Sequence, residues 1–273
     1  MRSHVLPISR LPSPVYLSPV PWSLLHTPPL PGVDNMAVDA ALLDRARRTG
    51  AGVVRVYTWT RPTVSLGRHQ AARDALDTTR AAARGIDIVR RLTGGRAVLH
   101  HREITYSVTA PTTADRGLRG DYAAINALLL SVLRDLGVDA ELAPRARRMP
   151  PPGSAPCFEL PAPGELVVGG RKLVGSAQWR DEGAWLQHGS ILVHDDQPML
   201  REVSRVDVPV VPAATLSGAL GRDVGAAEFA DVLATAVRGA WDAGADWLDP
   251  AAIVADAAPH RATFADADWT WRR

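Results

Sequence analysis

One cysteine and one lysine stand out among the residues whose side chains could carry out chemistry. Cys157 is the only cysteine of the chain, and Lys172 is the only lysine among its 31 lysine and arginine residues. Arginine replaces lysine wherever the two are interchangeable, but it cannot replace an amine that must lose its proton. Lys172 is therefore a candidate for chemistry, with chance survival on an exposed strand as the alternative.

A nearby lysine can convert a resting thiol into a nucleophile. A cysteine attacks as its thiolate, and with a pKa of about 8.5 only about 3% of it is ionised at pH 7. An ammonium about 4 Å away contributes roughly 4 kcal/mol at an effective dielectric of about 20, and lowering a thiol pKa by two units needs about 2.7 kcal/mol. Cys157 and Lys172 could thus form a nucleophile and its activating cation. A buried, inert Cys157 stays open as the alternative.

A glycine pair and a histidine could complete a binding site. Gly94 and Gly95 lie in RRLTGGRAVLH (90–100), where their backbone amides could approach a substrate carbonyl or phosphate, although a plain hairpin turn has the same letters. His188, followed by a glycine, could face a ligand or be satisfied within a sheet. The eight histidines form no metal-binding pattern, and serine-hydrolase signatures are absent. We therefore predict no metal and no cofactor.

Composition narrows the class of protein. The chain has 273 residues, 46% of them hydrophobic and 22% charged, with a net charge of only +2. We expect no nucleic-acid partner, although the arginines of RARRMP (145–150) could meet an acidic protein. No apolar run is long enough to cross a bilayer, and prolines interrupt the N-terminal residues that would otherwise resemble a signal peptide. One cysteine excludes an internal disulfide, which favours a cytoplasmic protein.

Hydrophobic periodicity predicts alternating helices and strands. The predicted helices extend from Asp34 to Gly50 and over 70–85, 121–137 and 228–244. The predicted strands are 53–59, 62–67, 86–91, 97–100, 102–110, 165–168, 171–180 and 184–193. The proline-rich loop 143–164 carries Cys157. Because strict βαβ alternation is absent, we expect one α+β domain over 22–248, with a disordered extension (1–21) before it and a C-terminal tail (249–273) after it.

The order of these segments resembles the lipoate and biotin protein ligase superfamily. The resemblance is closest to octanoyl-acyl carrier protein:protein N-octanoyltransferases that use a Cys–Lys pair, and it extends from about Trp22 to Gly244. It implies a catalytic domain with a central mixed β-sheet flanked by helices. The segments that carry it are NMAVDAALL (35–43), RRLTGGRAVLHHREITYSV (90–108), CFELP (157–161), ELVVGGRKLVGSAQWR (165–180) and LQHGSIL (186–192).

The resemblance also implies roles for individual residues. Cys157 is expected to take an octanoyl group from acyl carrier protein as a thioester. Lys172 is expected to lower the pKa of that thiol and to help move protons. The acceptor would be a lysine of a lipoyl domain or of glycine-cleavage H protein, in lipoate biosynthesis. The acyl pocket is expected to be lined by Arg91, Gly94, Gly95, Arg96, Ala97, Gly175, Ser176, Ala177, His188 and Gly189.

Two departures and three alternatives accompany this hypothesis. APGE follows CFELP where relatives usually carry a serine and an aromatic residue before the glutamate, and the pair HH (100–101) puts a histidine where an aspartate is common. An amidotransferase between lipoyl-bearing proteins would use the same Cys–Lys chemistry. An ATP-dependent lipoate–protein ligase would need no cysteine and often carries a further domain. A non-catalytic protein that binds these carriers would need neither residue.

Overall fold

The computed structural model describes residues 20–113, 117–144, 164–208 and 211–273. The strands are β1 (Trp22–His26), β2 (Gly52–Tyr57), β3 (Thr63–Leu66), β4 (Asp87–Arg90), β5 (Val98–His100), β6 (Glu103–Pro111), β7 (Glu141–Leu142), β8 (Leu166–Val168), β9 (Arg171–Lys172), β10 (Val174–Asp181), β11 (Ala184–Leu192) and β12 (Asp246–Trp247). The α-helices are α1 (Gly32–Thr49), α2 (Thr78–Ala83), α3 (Leu118–Asp135), α4 (Leu200–Val203), α5 (Leu216–Leu220), α6 (Ala226–Ala240), α7 (Pro250–Asp256), α8 (Arg261–Ala265) and α9 (Ala267–Thr270). Short 3₁₀ turns cover Gln197–Met199 and Ala258–His260.

The six-stranded central sheet is mixed. Its strand order is β10-β11-β6-β2-β1-β12. From β10 to β2 the neighbouring strands run antiparallel, whereas β1 is parallel to both β2 and β12. Two smaller sheets, β4-β3-β5 and β7-β8-β9, lie outside it. The predicted fold class, α+β with a central mixed sheet flanked by helices, is confirmed.

Both faces of the central sheet are buried under helices. Successive side chains of a strand point to opposite faces, so Val54 and Val56 of β2 join the core under α3 and α6, whereas Val53 joins the core under α1. On β6 the α3 face is apolar and includes Ile104 and Val108. The α1 face of β6 is instead polar and buried, with Glu103, Thr105, Ser107 and Thr109. This polar face is where the site is built.

The residues assigned by sequence to a C-terminal tail, 249–273, pack on the domain. Ile253, Ala257 and Phe264 are buried in the same apolar cluster as the residues of α1. The indole Nε1 of Trp269 donates to the carbonyl oxygen of Arg90 at 2.9 Å, which fixes α9 to β4. Residues 250–270 therefore complete the α1 layer rather than extend away from it. The predicted extension 1–21 falls almost entirely outside the described residues, which begin at Val20.

Some predicted boundaries are wrong, and tertiary contacts explain why. Residues 70–77 do not continue the predicted helix 70–85, since only Thr78–Ala83 is helical. The buried Arg90 guanidinium donates to the carbonyl oxygens of Gly67 and Gln70, which holds this segment in turns. Likewise α1 begins at Gly32 after Pro31, and Asp34 lies in its first turn instead of capping it. Within the described ranges no helix is both long and apolar enough to span a membrane.

Candidate active site

The strand register gathers polar side chains on the α1 face of the sheet. His188 pairs with Ser107 across β11 and β6, and Ala177 pairs with His188 across β10 and β11. Paired residues share a face, so these side chains point towards α1 together with those two positions away on each strand. Gly175 and Ser190 are such a neighbouring pair. Local alternation in the sequence therefore becomes a continuous polar surface only when β6, β10 and β11 are assembled.

Asp39 of α1 is the centre of this surface. Its Oδ1 accepts from Arg55 Nη1 at 2.9 Å and from the hydroxyl of Ser107 at 2.9 Å. Its Oδ2 accepts from the Tyr57 hydroxyl at 3.2 Å and lies 3.0 Å from His188 Nδ1. Burial raises the pKa of Asp39, but the hydrogen bond from His188 and the charge of Arg55 outweigh it, so the net pKa is lower than usual. Asp39 is an ionised, fully satisfied anchor.

His188 connects that anchor to the glycine loop. Burial is the main cause that lowers the pKa of His188, and Asp39 only partly opposes it. The neutral ring then donates from Nδ1 to Asp39, and its Nε2 accepts from the Thr93 hydroxyl at 2.6 Å. The Thr93 oxygen in turn accepts from Arg91 Nε at 3.1 Å. The histidine is therefore a neutral link that positions the loop, with both nitrogens engaged.

Arg91 clamps the glycine loop from within. Its Nη2 donates to the carbonyl oxygens of Gly94 and Arg96, both at 2.8 Å, and its Nη1 donates to the carbonyl oxygen of Ser65 at 2.7 Å. Gly95 has φ +91°, a conformation that favours glycine. A Cβ on Gly67 would come within 1.9 Å of the Gly95 carbonyl oxygen, so the loop and the β3 turn touch along their backbones.

These elements enclose a pocket between α1, β5 and the central sheet. Its empty volume is about 370 Å³, which includes space open to solvent. Glycines make room in its wall, because a Cβ on Gly189 would lie 2.6 Å from the carbonyl oxygen of Gly175 and 2.7 Å from the Tyr106 ring. The residues that line it are Met36, Tyr57, Trp59, Ser65, Arg91, Val98, His100, Thr105, Gly175, Ser176, Ala177, His188, Gly189 and Ser190.

A second polar chain, centred on Glu103, supports the far wall of the pocket. Glu103 accepts from the hydroxyls of Thr105 at 2.6 Å and Ser190 at 2.5 Å. Thr105 accepts from the indole of Trp59 at 2.8 Å, and the Trp59 ring stacks on His100 with centroids 4.1 Å apart. The wall therefore presents aromatic rings to the pocket, and hydrogen bonds hold these rings from the side away from it. Such a wall suits an apolar ligand such as an alkyl chain.

Lys172 is buried just before β10, the strand that contributes to the pocket wall. Only 4% of the residue is exposed, and its Nζ donates to Glu165 Oε1 at 2.8 Å. Glu165 is also buried, and the residue before it, Gly164, accepts through its carbonyl oxygen from Asn126 of α3 at 2.7 Å. Val174, two residues after Lys172, begins β10, the strand that continues into the pocket wall. The exposed-strand alternative for Lys172 is therefore wrong.

A chain of hydrogen bonds extends from the pocket wall through Tyr106 and Gln187 to Asn126, which binds the residue before Glu165. The Tyr106 hydroxyl lies 2.8 Å from the Ser176 hydroxyl and accepts from Gln187 Nε2 at 2.7 Å. Burial chiefly raises the pKa of Tyr106, and the charge of Glu165 adds to the rise. Tyr106 thus remains a neutral hydroxyl between the Glu165 side and Ser176.

The predicted site residues fall into four groups. Six of the ten expected pocket residues line the cavity: Arg91, Gly175, Ser176, Ala177, His188 and Gly189. Gly94, Gly95 and Arg96 form the clamped loop beside it, and Ala97 packs against the small-sheet core instead. Cys157, with the loop 145–163, lies outside the described residues. Its role stays a prediction.

Sequence reasoning missed several residues of this site. Asp39 lies in the quoted segment NMAVDAALL, where an acid among apolar helix residues was the available signal. Glu165 directly follows the cysteine loop and lies across the Gly169-Gly170 hairpin from Lys172, which was the available signal. Trp59, His100 and the Glu103 chain reach the pocket only through sheet assembly. Within the described ranges no group of three or more histidine, cysteine or acidic residues is arranged to hold a metal ion.

Comparison with known proteins places the chain among enzymes of protein lipoylation. Residues 31–238 match the lipoyl protein ligase A/B catalytic domain. Octanoyltransferase LipM of Kyrpidia tusciae is 44% identical over 193 residues, which cover 67% of this chain and 70% of the relative. Octanoyltransferase LipM of Symbiobacterium thermophilum is 39% identical over 229 residues, covering 78% and 84%.

A solved structure supports the fold. It is that of a bipartite lipoate protein ligase from Thermoplasma acidophilum, studied with its E2 lipoyl domain. It superposes with a TM-score of 0.71 at 22% identity and covers 92% of this chain and 96% of that one. At this identity the similarity establishes a common architecture.

Proposed function

Because the chain belongs to the family of lipoyl protein ligase A/B catalytic domains, we propose that it is an octanoyltransferase of lipoate biosynthesis that works through a Cys157 thioester. Octanoyl transfer is the activity by which the relatives at 39–44% identity are named. The donor in this proposal is octanoyl-acyl carrier protein. The acceptor is a lysine of a lipoyl domain or of glycine-cleavage H protein.

The observation that carries the mechanism is the buried Lys172–Glu165 ion pair. Among the 31 lysine and arginine residues of the chain, only Lys172 is a lysine. It is buried, and its Nζ lies 2.8 Å from Glu165 Oε1. A guanidinium would supply charge at this position but could not release a proton. An ammonium has three N–H donors, and Lys172 directs one of them to Glu165. That combination suits a residue that stabilises a thiolate and later exchanges a proton.

In the first step, the Cys157 thiolate attacks the thioester carbonyl of the donor. A bond forms between Cys157 Sγ and the octanoyl carbon, and the carbon–sulfur bond to the carrier breaks. The carrier leaves as a thiolate that takes up a proton. One thioester replaces another, so the acyl-enzyme is close in free energy to the donor. The octanoyl chain occupies the pocket walled by Trp59, Gly175 and Gly189.

In the second step, the acceptor lysine attacks the acyl-enzyme. A free lysine amine has a pKa of about 10.4, so it must lose a proton before or during attack. The new amide bond forms as the bond to Cys157 Sγ breaks, and the thiolate is regenerated. Glu165 acts as a positioning residue that holds the Nζ of Lys172 in place during both proton movements. Backbone N–H groups of the clamped glycine loop are candidates to stabilise the oxyanion in each step.

A cytoplasmic site of action belongs to the same proposal. The nucleophile must remain a reduced thiol, and reducing compartments keep thiols in that state.

Intact mass measurement tests the thioester directly. We expect the protein, mixed with octanoyl-acyl carrier protein in the absence of ATP, to gain one octanoyl group that hydroxylamine removes. A Cys157→Ala variant should gain none. Addition of a lipoyl domain should transfer the group from enzyme to acceptor lysine as a hydroxylamine-stable amide.

Other outcomes identify the alternatives. Modification of a lipoyl domain only with ATP and free lipoate or octanoate would indicate a ligase. Acylation of Cys157 from an octanoylated H protein, and not from the carrier, would indicate an amidotransferase. Binding without any transfer would leave a carrier-binding protein.

A further inference from the structure

A cluster of arginine and tryptophan side chains lies beside the pocket, outside the residues assigned to catalysis. We call Arg68, Trp179, Trp269 and Arg272 the arginine–tryptophan patch. The Arg68 guanidinium carbon lies 4.9 Å from the centre of the Trp179 ring and 5.8 Å from that of Trp269. The Arg272 guanidinium carbon lies 3.9 Å from the centre of the Trp269 ring. Two cations therefore stack on two aromatic faces contributed by distant parts of the chain.

The patch is held in place from both sides. Arg272 Nη2 donates to the carbonyl oxygen of Arg68 at 2.8 Å. The buried Arg90 donates through Nε to the carbonyl oxygen of Thr270 at 2.8 Å and through Nη1 to that of Gly67 at 2.6 Å. The turn after β3 and the α9 segment are thus tied together, so the two guanidinium groups are positioned before any ligand arrives.

Within the described residues, the arginines of the patch form no direct ion pair with a carboxylate. None of Arg68, Arg272 and Arg273 takes part in an ion pair with another described residue. Desolvation and the neighbouring arginines Arg68 and Arg273 lower the pKa of Arg272. The pKa of His69 is lowered in the same way, with contributions from Arg273, Arg68 and Arg272. These groups repel one another, and an anion bound among them would relieve that repulsion.

Two other exposed arginines, Arg222 and Arg84, are already paired with carboxylates. Arg222 forms a two-pronged contact with Glu228, with donor–acceptor distances of 3.0 and 2.7 Å, and Arg84 contacts Glu202 at 2.6 Å. The patch differs from these surface ion pairs because its arginines face aromatic rings and carbonyl oxygens. It therefore has anion-binding capacity that the paired arginines lack.

The patch adjoins the mouth of the acyl pocket. The backbone N–H of Arg68 donates to the carbonyl oxygen of Thr93, in the clamped glycine loop, at 2.8 Å. Trp179 lies two residues after Ala177 on β10, so both side chains are on the same face of the strand, and Ala177 lines the pocket. A ligand whose far end enters the pocket can thus extend across the patch.

We propose that the arginine–tryptophan patch binds the phosphodiester of the phosphopantetheine arm through which the acyl carrier protein presents its octanoyl group. This inference rests on the proposed function. The arm is an anion followed by amide groups, and it joins the acyl thioester to the carrier. Guanidinium groups recognise phosphate with paired N–H donors, and tryptophan faces offer flat surfaces to amides. The acceptor, in contrast, brings a lysine ammonium, which clustered arginines repel. The patch is therefore a donor site.

Binding of apo and holo carrier protein tests the proposal without any transfer reaction. Apo-carrier protein lacks the phosphopantetheine arm and is otherwise identical to the holo form. By calorimetry we expect holo-carrier protein to bind wild-type protein more tightly than the apo form. Arg68→Gln and Arg272→Gln should each weaken holo binding by about tenfold, since a hydrogen bond to a charged group is worth about 1.5 kcal/mol or more. Apo binding should change less than twofold, and Arg222→Gln should alter neither.

Three results would overturn the assignment. Equal binding of the apo and holo forms would show that the phosphopantetheine arm does not contact the patch. An equal loss of apo and holo binding in the variants would show that the patch meets acidic side chains of the carrier body instead. Slower transfer from preformed acyl-enzyme to the acceptor, with unchanged holo binding, would assign the patch to the acceptor. The mass experiment on Cys157 answers separately whether the protein forms a thioester, so failure of one proposal is distinguishable from failure of the other.

Discussion

Two buried ion pairs, Asp39–Arg55 and Lys172–Glu165, place opposite charges within 2.9 and 2.8 Å of each other in the same protein. In the first, the cation is a guanidinium whose Nη1 and Nη2 also bind the backbone and side-chain oxygens of Asn35. In the second, the cation is the single lysine of the chain. Arginine stays charged under all ordinary conditions, whereas an amine can exchange a proton. Two pairs that look alike in distance therefore differ in what they can do.

In our proposal Asp39–Arg55 supports the fold, whereas Lys172–Glu165 supports the reaction. Asp39 accepts hydrogen bonds from the hydroxyls of Ser107 and Tyr57 and from His188, the histidine that holds the glycine loop. Such a group contributes rigidity, and its removal leaves buried partners without their counter-charge. Substitutions that change one property of each pair can separate these roles.

Replacement of Lys172 with arginine should have the largest effect. We expect Lys172→Arg to lower the rate of octanoyl transfer by about 10²- to 10⁴-fold, because charge is kept but proton exchange is lost. Single-turnover acylation and deacylation, followed by mass spectrometry, measure each step. The matched control is Arg171→Lys on the adjacent exposed position of β9, which should leave both rates unchanged. Full activity in Lys172→Arg would reduce the role of Lys172 to that of a fixed charge.

Removal of the Asp39 charge should mainly lower stability. Asp39→Asn leaves Arg55, which is 0% exposed, without a counter-charge, and breaking a buried pair in this way costs about 3–5 kcal/mol. Chemical denaturation measures the change in the free energy of unfolding. Asp44→Asn is the control, since Asp44 is on the same helix in an exposed pair with Arg47, and such pairs contribute about 0–1 kcal/mol. A loss at position 39 as small as at position 44 would contradict the structural role.

The smallest expected effect is the pH dependence that His188 gives to stability. Burial lowers its pKa in the folded protein, so between that value and about 6.5 the unfolded chain binds more protons than the folded one. The stability that the neutral His188 contributes is complete above about pH 6.5. It is lost as the pH falls from about 6.5 towards the lower pKa of the folded state, by at most about 1.4 kcal/mol per pH unit. His188→Gln should flatten this slope in denaturation curves between pH 7 and 5. An unchanged slope would show that the folded ring titrates normally.

Much of the fold was predictable because its signals are local. The apolar stripe of α3, the hairpin glycines 169 and 170 and the alternation of β11 each predicted an element at nearly its observed position. The prediction of a helix over 70–77 was wrong. The helix propensity of this segment is overridden by Arg90 of β4, which donates a hydrogen bond to the carbonyl oxygen of Gln70. Propensity describes a segment alone and carries no information about such a partner.

The candidate site divides in the same way. The glycine loop, His188 and Lys172 were recognisable as residue types in an ordered series. Their partners were not recognised: Glu165 meets Lys172 across the short β8–β9 hairpin, and Asp39 meets His188 because a helix and a strand distant in sequence pack together. The Arg68 contact with Trp179 and Trp269 is a further example, since it joins residues up to 201 positions apart.

The sequence by itself determined which chemistry is available, since a lone lysine and a lone cysteine on a scaffold of arginines restrict the proton-exchanging cation and the thiol nucleophile to one position each. It also determined which segments form helices and strands, because hydrophobic periodicity and glycine stops act over a few residues. Only the tertiary structure decided that Lys172 is buried against Glu165, that His188 links Asp39 to Thr93, and that the arginine–tryptophan patch adjoins the pocket. The Lys172–Glu165 contact is made within one hairpin, but the burial of Lys172 and the other pairings depend on segments far apart in the chain, which meet when the strands of the sheet assemble.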